Sequence, residues 1–203
     1  MKYMSIFGSI MMNNSFYALI FRQKYIKRWG LMRNSRDESL AEHASETAIL
    51  THALCTIGNK YFEKNYNTER AVTLALFHDT SEVYTGDLPT PIKYFSSEMR
   101  ENYKMIEKNA AETLLSHLPE ELRPAYSELL DSDEDPLYRL VKAADKLAAL
   151  IKCIEEEKSG NPEFSAAKKA TLKSLSDMNL CEADYFVENF LPAFSLTLDE
   201  MQS

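Results

Sequence analysis

Apolar residues recur at helical spacing along almost the whole chain. Phe16, Leu19, Ile20 and Ile26 form a first stripe, which predicts a helix over 16–29. A polar connection over 33–37 follows. Ser39-Leu-Ala-Glu42 has the form of a capping box, so a second helix starts there and runs to about Ile57. Residues 58–67 are polar and aromatic and read as a loop. Asn67 or Thr68 caps a third helix, which carries His78 and Asp79 near its C-terminal end. The dense breakers over 85–91 impose a loop. Ser96 or Ser97 opens a long helix to about Leu118, closed by Pro119, and a shorter helix covers 120–130. Asp135-Pro136 pairs an N-cap residue with a proline suited to the first helical position. The helix it opens carries Asp145 and ends near Gly160. Two more helices complete the chain, the last interrupted by Pro192. The pattern predicts an all-α bundle of about seven to nine helices. We read 1–203 as a single domain, with residues 1–15 as an N-terminal extension.

Composition narrows the function classes. A chain of 203 residues is long enough to bury roughly 70% of its unfolded surface. Five glycines are few, as suits helices with short connections. The net charge of −8 argues against binding a nucleic-acid polymer, which needs a basic face. It leaves room for a small anionic substrate, because a local cation reverses the field inside a cleft. Cys55, Cys153 and Cys181 are odd in number and far apart, so the expected home is a reducing cytoplasm. No run has the length of a membrane span, and residues 1–12 lack the form of a signal peptide.

The chemistry gathers around His78-Asp79, which close the apolar run that starts at Ala71. A carboxylate in such surroundings is strongly penalised unless it is paired or coordinates a cation. His43 in the second helix and Asp145 among alanines and leucines meet the same need. Together, His43, His78, Asp79 and Asp145 have the composition of one divalent-metal site. Singly, each histidine reads more readily as a satisfied core residue, and the conjunction is what carries the metal reading. Mixed imidazole and carboxylate donors suit Mn, Co, Fe or Zn better than Ca or Mg. His52 lies nine residues after His43, half a turn out of phase, and is set aside. His117 reads as a helix C-cap. The acidic stretches 131–135 and 155–157 read as solvated.

This pattern resembles the HD-domain superfamily of metal-dependent phosphohydrolases. Arg28-Trp29, Trp29-Gly-Leu-Met-Arg-Asn34, Glu42-His43, His78-Asp79-Thr-Ser-Glu82-Val, the segment from Thr85 through Asp87-Leu88-Pro89-Thr90 to Phe95, and Val141-Lys-Ala-Ala-Asp145 extend it. With them the chain is similar to the bacterial HD-domain 5′-deoxynucleotidases from about Phe16 onward. The resemblance implies an HD-domain helical bundle that removes the 5′-phosphate from 2′-deoxyribonucleoside 5′-monophosphates. It implies one divalent transition metal, Co or Mn, with Cu, Zn, Fe and Ni as alternatives, held by His43, His78, Asp79 and Asp145.

Glu82 is four residues after His78, so a continuing helix sets both on one face. Its bland reading is a solvated glutamate, whereas the resemblance makes it catalytic. Arg28 suits two-point grip on a phosphate, with Lys24 and Lys27 adding positive potential, and the resemblance assigns it phosphate orientation. Their bland readings are a helix-end arginine and a core tryptophan. Trp29, Asp79, Asp87, Leu88, Pro89, Thr90 and Asp145 are the further substrate contacts that the resemblance implies. It also implies a homodimer. Two rivals stand beside this reading. One is an HD hydrolase of nucleoside triphosphates or of cyclic or bis-phosphorylated nucleotides. The other is a non-enzymatic helical module with structural histidines.

Overall fold

In the computed structural model, which describes residues 14–93 and 95–202, helix α2 (Leu40–Tyr61) is the axis on which the helices Thr68–Phe77, Tyr138–Lys158 and Cys181–Asn189 pack. The reading of residues 1–15 as an extension falls almost wholly outside the described residues. The capping box forms as expected: Ser39 Oγ accepts from Glu42 N at 3.2 Å, and Glu42 Oε2 accepts from Ser39 N at 2.8 Å. Such a cap contributes about 1 kcal/mol and fixes where the helix begins. That start places His43 in the first turn, fully buried.

α2 does not end at Ile57 but continues to Tyr61, into the stretch that composition marks as loop. Gly58 allows this. A Cβ there would lie 2.6 Å from the Tyr66 ring, so the glycine is required by close packing and not by a turn. Asn67 caps α3 (Thr68–Phe77), and α8 (Tyr138–Lys158) packs on another side of α2. Leu54, Leu147, Leu150 and Ala144 form the core between them, with Leu140 and Ile151. Each fully buried leucine contributes roughly 2 kcal/mol. A second cluster, Ala48, Leu74, Ala75 and Val141, fills the space under α3.

The first predicted helix is mostly absent. α1 (Phe16–Ile20) passes into a 3₁₀ turn over Phe21–Tyr25, and Ile26 is already extended. Long-range backbone pairing wins over local periodicity here. Arg28 N donates to Glu38 O at 3.0 Å and Leu40 N to Ile26 O at 2.9 Å, a single antiparallel bridge. Phe16 meanwhile docks on Leu114 and Leu118 of the α6 end.

Past α3 come two one-turn helices, α4 (Glu82–Thr85) and α5 (Thr90–Lys93). α6 (Ser97–Ser116) is capped by Ser96 and ends at His117, as its pattern predicts. α7 (Arg123–Leu130) follows, and α8 starts at Tyr138, two residues after Pro136. α9 (Ser165–Ser176), α10 (Cys181–Asn189) and α11 (Leu198–Gln202) close the described chain. Seven of these helices have eight residues or more, and no strand longer than the single bridge occurs among the described residues. No described helix is long and apolar enough to cross a membrane.

Candidate active site

Three helices bring the predicted metal ligands together: the first turn of α2, the end of α3, and the middle of α8. Donor atoms of His43, His78 and Asp145 lie within 4.8 Å of one another. His43 Nε2 is 3.1 Å from Asp145 Oδ1 and 3.6 Å from Asp79 Oδ2, and His78 Nε2 is 3.1 Å from Asp79 Oδ2. Asp79 and Asp145 keep 23% and 38% of their side-chain surface, so the cluster opens to solvent on one side. His52 is exposed on the far side of α2, as its phase predicts.

The histidine geometry tests whether this set fits a cation. His78 Nδ1 lies 2.7 Å from Ala75 O. A carbonyl only accepts, so Nδ1 carries the proton and Nε2 of the neutral ring presents a lone pair. That buried Nε2 has no hydrogen-bond partner among the described residues and faces the Asp79 carboxylate. Two lone pairs at such a distance require a proton or a metal ion between them, and the donor set fits a divalent transition metal. Burial and the Arg28 charge work against protonating His43, yet Asp145 and Glu38 outweigh them and push it up to about 9. Burial likewise disfavours ionised Asp79, but His78 overrides it and holds the carboxyl down at about 2.

Glu82 reaches the site by a route different from the expected one. α3 stops at Phe77, and His78 to Ser81 form a turn in which Glu82 N donates to Asp79 O at 3.0 Å. Glu82 then opens α4, 5% exposed, with Oε2 lacking a hydrogen-bond partner among the described residues. Burial first, then the Asp79 and Asp87 carboxylates, push its carboxyl up to about 9 in the metal-free protein, against Arg28 and Lys93. The bland reading of Glu82 as a solvated helix-end residue does not fit this burial.

Arg28 and Trp29 lie where the 26–28 segment crosses 38–40. Arg28 Nη1 is 3.7 Å from Asp79 Oδ2, and its Nε is 3.0 Å from Glu38 Oε1. Trp29 adopts φ 60, rare for a residue with a large side chain. Its N–H donates to Asp87 Oδ2 at 3.1 Å, and its indole Nε1 donates to Glu38 Oε2 at 2.9 Å. The indole ring rests against Phe164 at 5.2 Å between centroids. Lys24 and Lys27 stay outside: Lys24 sits over Tyr25, and Lys27 pairs with Asp37 in solvent.

The Asp87 loop is turned by Gly86 at φ 70, whose N–H caps Glu82 O at 2.8 Å. Leu88 and Pro89 are half-buried, and Pro89 O accepts from Ile92 N at 2.8 Å to start the short α5 at Thr90. Leu88 lines a groove of about 590 Å³ against α6, with Tyr84, Ile92 and Met99.

Glu38 went unread in the sequence. It precedes the N-cap of α2 in a polar stretch, where a glutamate is ordinarily solvated, yet it is 8% exposed. Besides Arg28 and Trp29 it faces His43, with Oε1 3.5 Å from Nδ1. Glu156, read as solvated, is also buried: it accepts from Ser35 N at 2.9 Å and from Lys152 Nζ and Asn161 Nδ2, tying the 29–37 loop to α8.

A family model described as 5′-deoxynucleotidase YfbR-like matches residues 15–194. A 5′-deoxynucleotidase of Erwinia tasmaniensis is 47% identical over 193 residues, covering 94% of this chain and 98% of the relative. The 5′-deoxynucleotidase YfbR of Escherichia coli is 47% identical over 195 residues, covering 94% and 97%. Among solved structures, an HD-domain phosphohydrolase from Listeria innocua superposes with a TM-score of 0.79 at 22% identity, over 93% of this chain and 92% of that one. A cyanophage S-2L HD phosphohydrolase, DatZ, bound to dA and one catalytic Zn2+ ion, gives 0.63 at 19% identity, over 86% and 95%. The solved structures share the fold, and with a family model over most of its length and near-full-length relatives at 47% identity, the chain belongs to the YfbR-like 5′-deoxynucleotidase family.

Proposed function

We propose that this site hydrolyses 2′-deoxyribonucleoside 5′-monophosphates to deoxynucleoside and inorganic phosphate, with His43, His78, Asp79 and Asp145 as ligands of one divalent transition metal. The observation that supports it most is the buried Glu82 and the half-freed Arg28 beside the converging ligand set. Co or Mn is the expected metal, with Cu, Zn, Fe and Ni as alternatives; when bound it supplies Lewis acidity toward the phosphate and lowers the pKa of water.

The rest falls to the chain's own groups. Arg28 is anchored by Nε on Glu38, which leaves the Nη edge near Asp79 to bind phosphate oxygens and offset their growing charge. Glu82 manages the proton between the attacking water and the departing 5′ oxygen. Trp29, locked through both its backbone and indole N–H groups, walls the sugar together with Asp87 and the residues Leu88, Pro89 and Thr90. A rigid wall rejects a 2′-hydroxyl by clash and by leaving it unpaired, which accounts for a deoxyribose preference. The net charge of −8 fits a small substrate and no nucleic-acid polymer. A cytoplasmic homodimer is the expected working form.

The test is phosphate release from dAMP, AMP, dATP and a cyclic nucleotide by chelated protein with Mn or Co restored. Release from dAMP well above AMP, and none from dATP, is the expected result. Preference for dATP or the cyclic nucleotide assigns the site to another HD hydrolase reaction. No release from any substrate favours a non-enzymatic module.

A further inference from the structure

Glu38 is a single buried carboxylate that faces three separate groups of the site. Oε1 lies 3.0 Å from Arg28 Nε and 3.5 Å from His43 Nδ1, and Oε2 accepts the indole N–H of Trp29 at 2.9 Å. The backbone repeats the link, because Arg28 N donates to Glu38 O across the bridge. We propose that Glu38 is the positioning residue of the site, setting His43 toward the metal, Arg28 toward the phosphate and Trp29 toward the sugar. Through it, occupancy of the metal site is linked to the indole of Trp29. This rests on the reading of His43 as a metal ligand.

The chemistry requires a carboxylate at this point. With Nε2 as the metal donor beside Asp145 and Asp79, His43 has its proton on Nδ1, and the Arg28 and Trp29 nitrogens are donors as well. Three donors converge on two oxygens, and a carboxylate has about four lone-pair positions to receive them. Trp29 makes a hydrogen bond to Glu38, whereas Arg28 Nε and His43 Nδ1 have none among the described residues and face Glu38 Oε1 at 3.0 and 3.5 Å as their nearest carboxylate acceptor. A carboxylate behind a ligating imidazole fixes the tautomer and the ring orientation. A glutamine of equal shape turns an N–H₂ toward one of these donors and leaves that donor unpaired. Displacing His43 from this carboxylate shifts the group that also holds Trp29, which is the physical basis of the linkage.

Trp29 is the chain's one tryptophan, so its emission reports this contact directly. The experiment titrates metal-free protein with Zn2+, a diamagnetic ion, following heat and Trp29 emission together. In the wild type, Zn2+ binding is expected to shift the emission. Glu38→Gln is expected to bind Zn2+ roughly 10–100-fold more weakly, with emission no longer responding at saturating Zn2+. Glu182→Gln is the control for losing any buried carboxylate. Glu182 packs by Gly58, on the order of 20 Å along α2 from His43, and should bind Zn2+ as the wild type does. If Glu38→Gln fails to fold by circular dichroism, Glu38→Asp replaces it. Its charge is kept, but its shorter arm cannot span all three donors, so the same two losses are expected.

A folded Glu38 variant with wild-type Zn2+ affinity and wild-type emission response overturns the proposal, as does a wild-type emission indifferent to Zn2+. Neither readout uses turnover. A protein inactive on deoxynucleoside monophosphates that still shows both losses sinks the functional reading and leaves Glu38 in its role.

Discussion

The Asp87 carboxylate holds the backbone N–H of Trp29 at 3.1 Å across 58 residues of chain. Trp29 sits at φ 60, a conformation that costs about 1–2 kcal/mol in a residue with a Cβ. The contact therefore maintains a strained backbone, and one oxygen of Asp87 is already committed before any sugar arrives. Asp87→Ala should raise KM for dAMP roughly tenfold, about 1.4 kcal/mol of lost binding, with a smaller change in kcat. Steady-state kinetics decide this, and an unchanged KM removes Asp87 from substrate positioning.

Glu82 is buried beside the candidate metal ligands, and its Oε2 has no hydrogen-bond partner among the described residues. Glu82→Gln keeps its shape and removes its proton chemistry. Turnover should fall by about 10²–10⁴-fold, while KM moves little. Elemental analysis should find the same metal content as in the wild type. If KM rises and kcat survives, Glu82 positions substrate and another group moves the proton.

Asp145 Oδ1 lies 3.1 Å from His43 Nε2, and α8 packs on α2 through the same stretch. A metal bound there adds stability by mass action, about 2.7 kcal/mol at a hundredfold excess over Kd. Chelation should lower the wild-type melting midpoint and leave that of Asp145→Ala unmoved. Calorimetry of both proteins with and without chelator checks this, and an equal drop in both places the metal elsewhere.

Glu156 is 1% exposed and faces Lys152, Asn161 and the Ser35 N–H. Burial opposes its ionisation, but the Lys152 hydrogen bond and then Asn161 and Ser35 hold its carboxyl down at about 2, against 4.5 ordinarily. A depressed carboxyl stabilises the fold fully above its unfolded pKa and loses that contribution as pH falls toward its folded one. The stability gap between wild type and Glu156→Gln should thus be largest above about pH 5 and close by about pH 2. Glu156→Ala, which leaves Lys152 buried without its carboxylate, should cost about 3 kcal/mol at neutral pH. Denaturant melts across that range measure both.

Local interactions made much of this protein legible from its residues. The capping box at Ser39, the caps at Asn67 and Ser96, and the His117 terminus depend on side chains reaching three or four residues. The convergence of His43, His78, Asp79 and Asp145 was legible because histidine and carboxylate in apolar helices have few other satisfactory fates, and the phase of α2 alone set His52 apart from them. The stripe of Phe16, Leu19, Ile20 and Ile26 misled, because pairing with residues 38–40 outcompetes a helix that local spacing favours.

The sequence by itself determined the all-α class, most helix starts and the chemical character of the site, since periodicity and capping act over a few residues. Only the tertiary structure decided that a turn, not a continuing helix, carries Glu82 inward. It also decided that Glu38 and Glu156 are buried, and that Asp87 reaches Trp29. Those outcomes depend on which distant donors surround a carboxylate once α2, α3 and α8 have packed. A polar stretch gives no sign of this, because the same glutamate is solvated or buried according to partners that its neighbours in the chain do not supply.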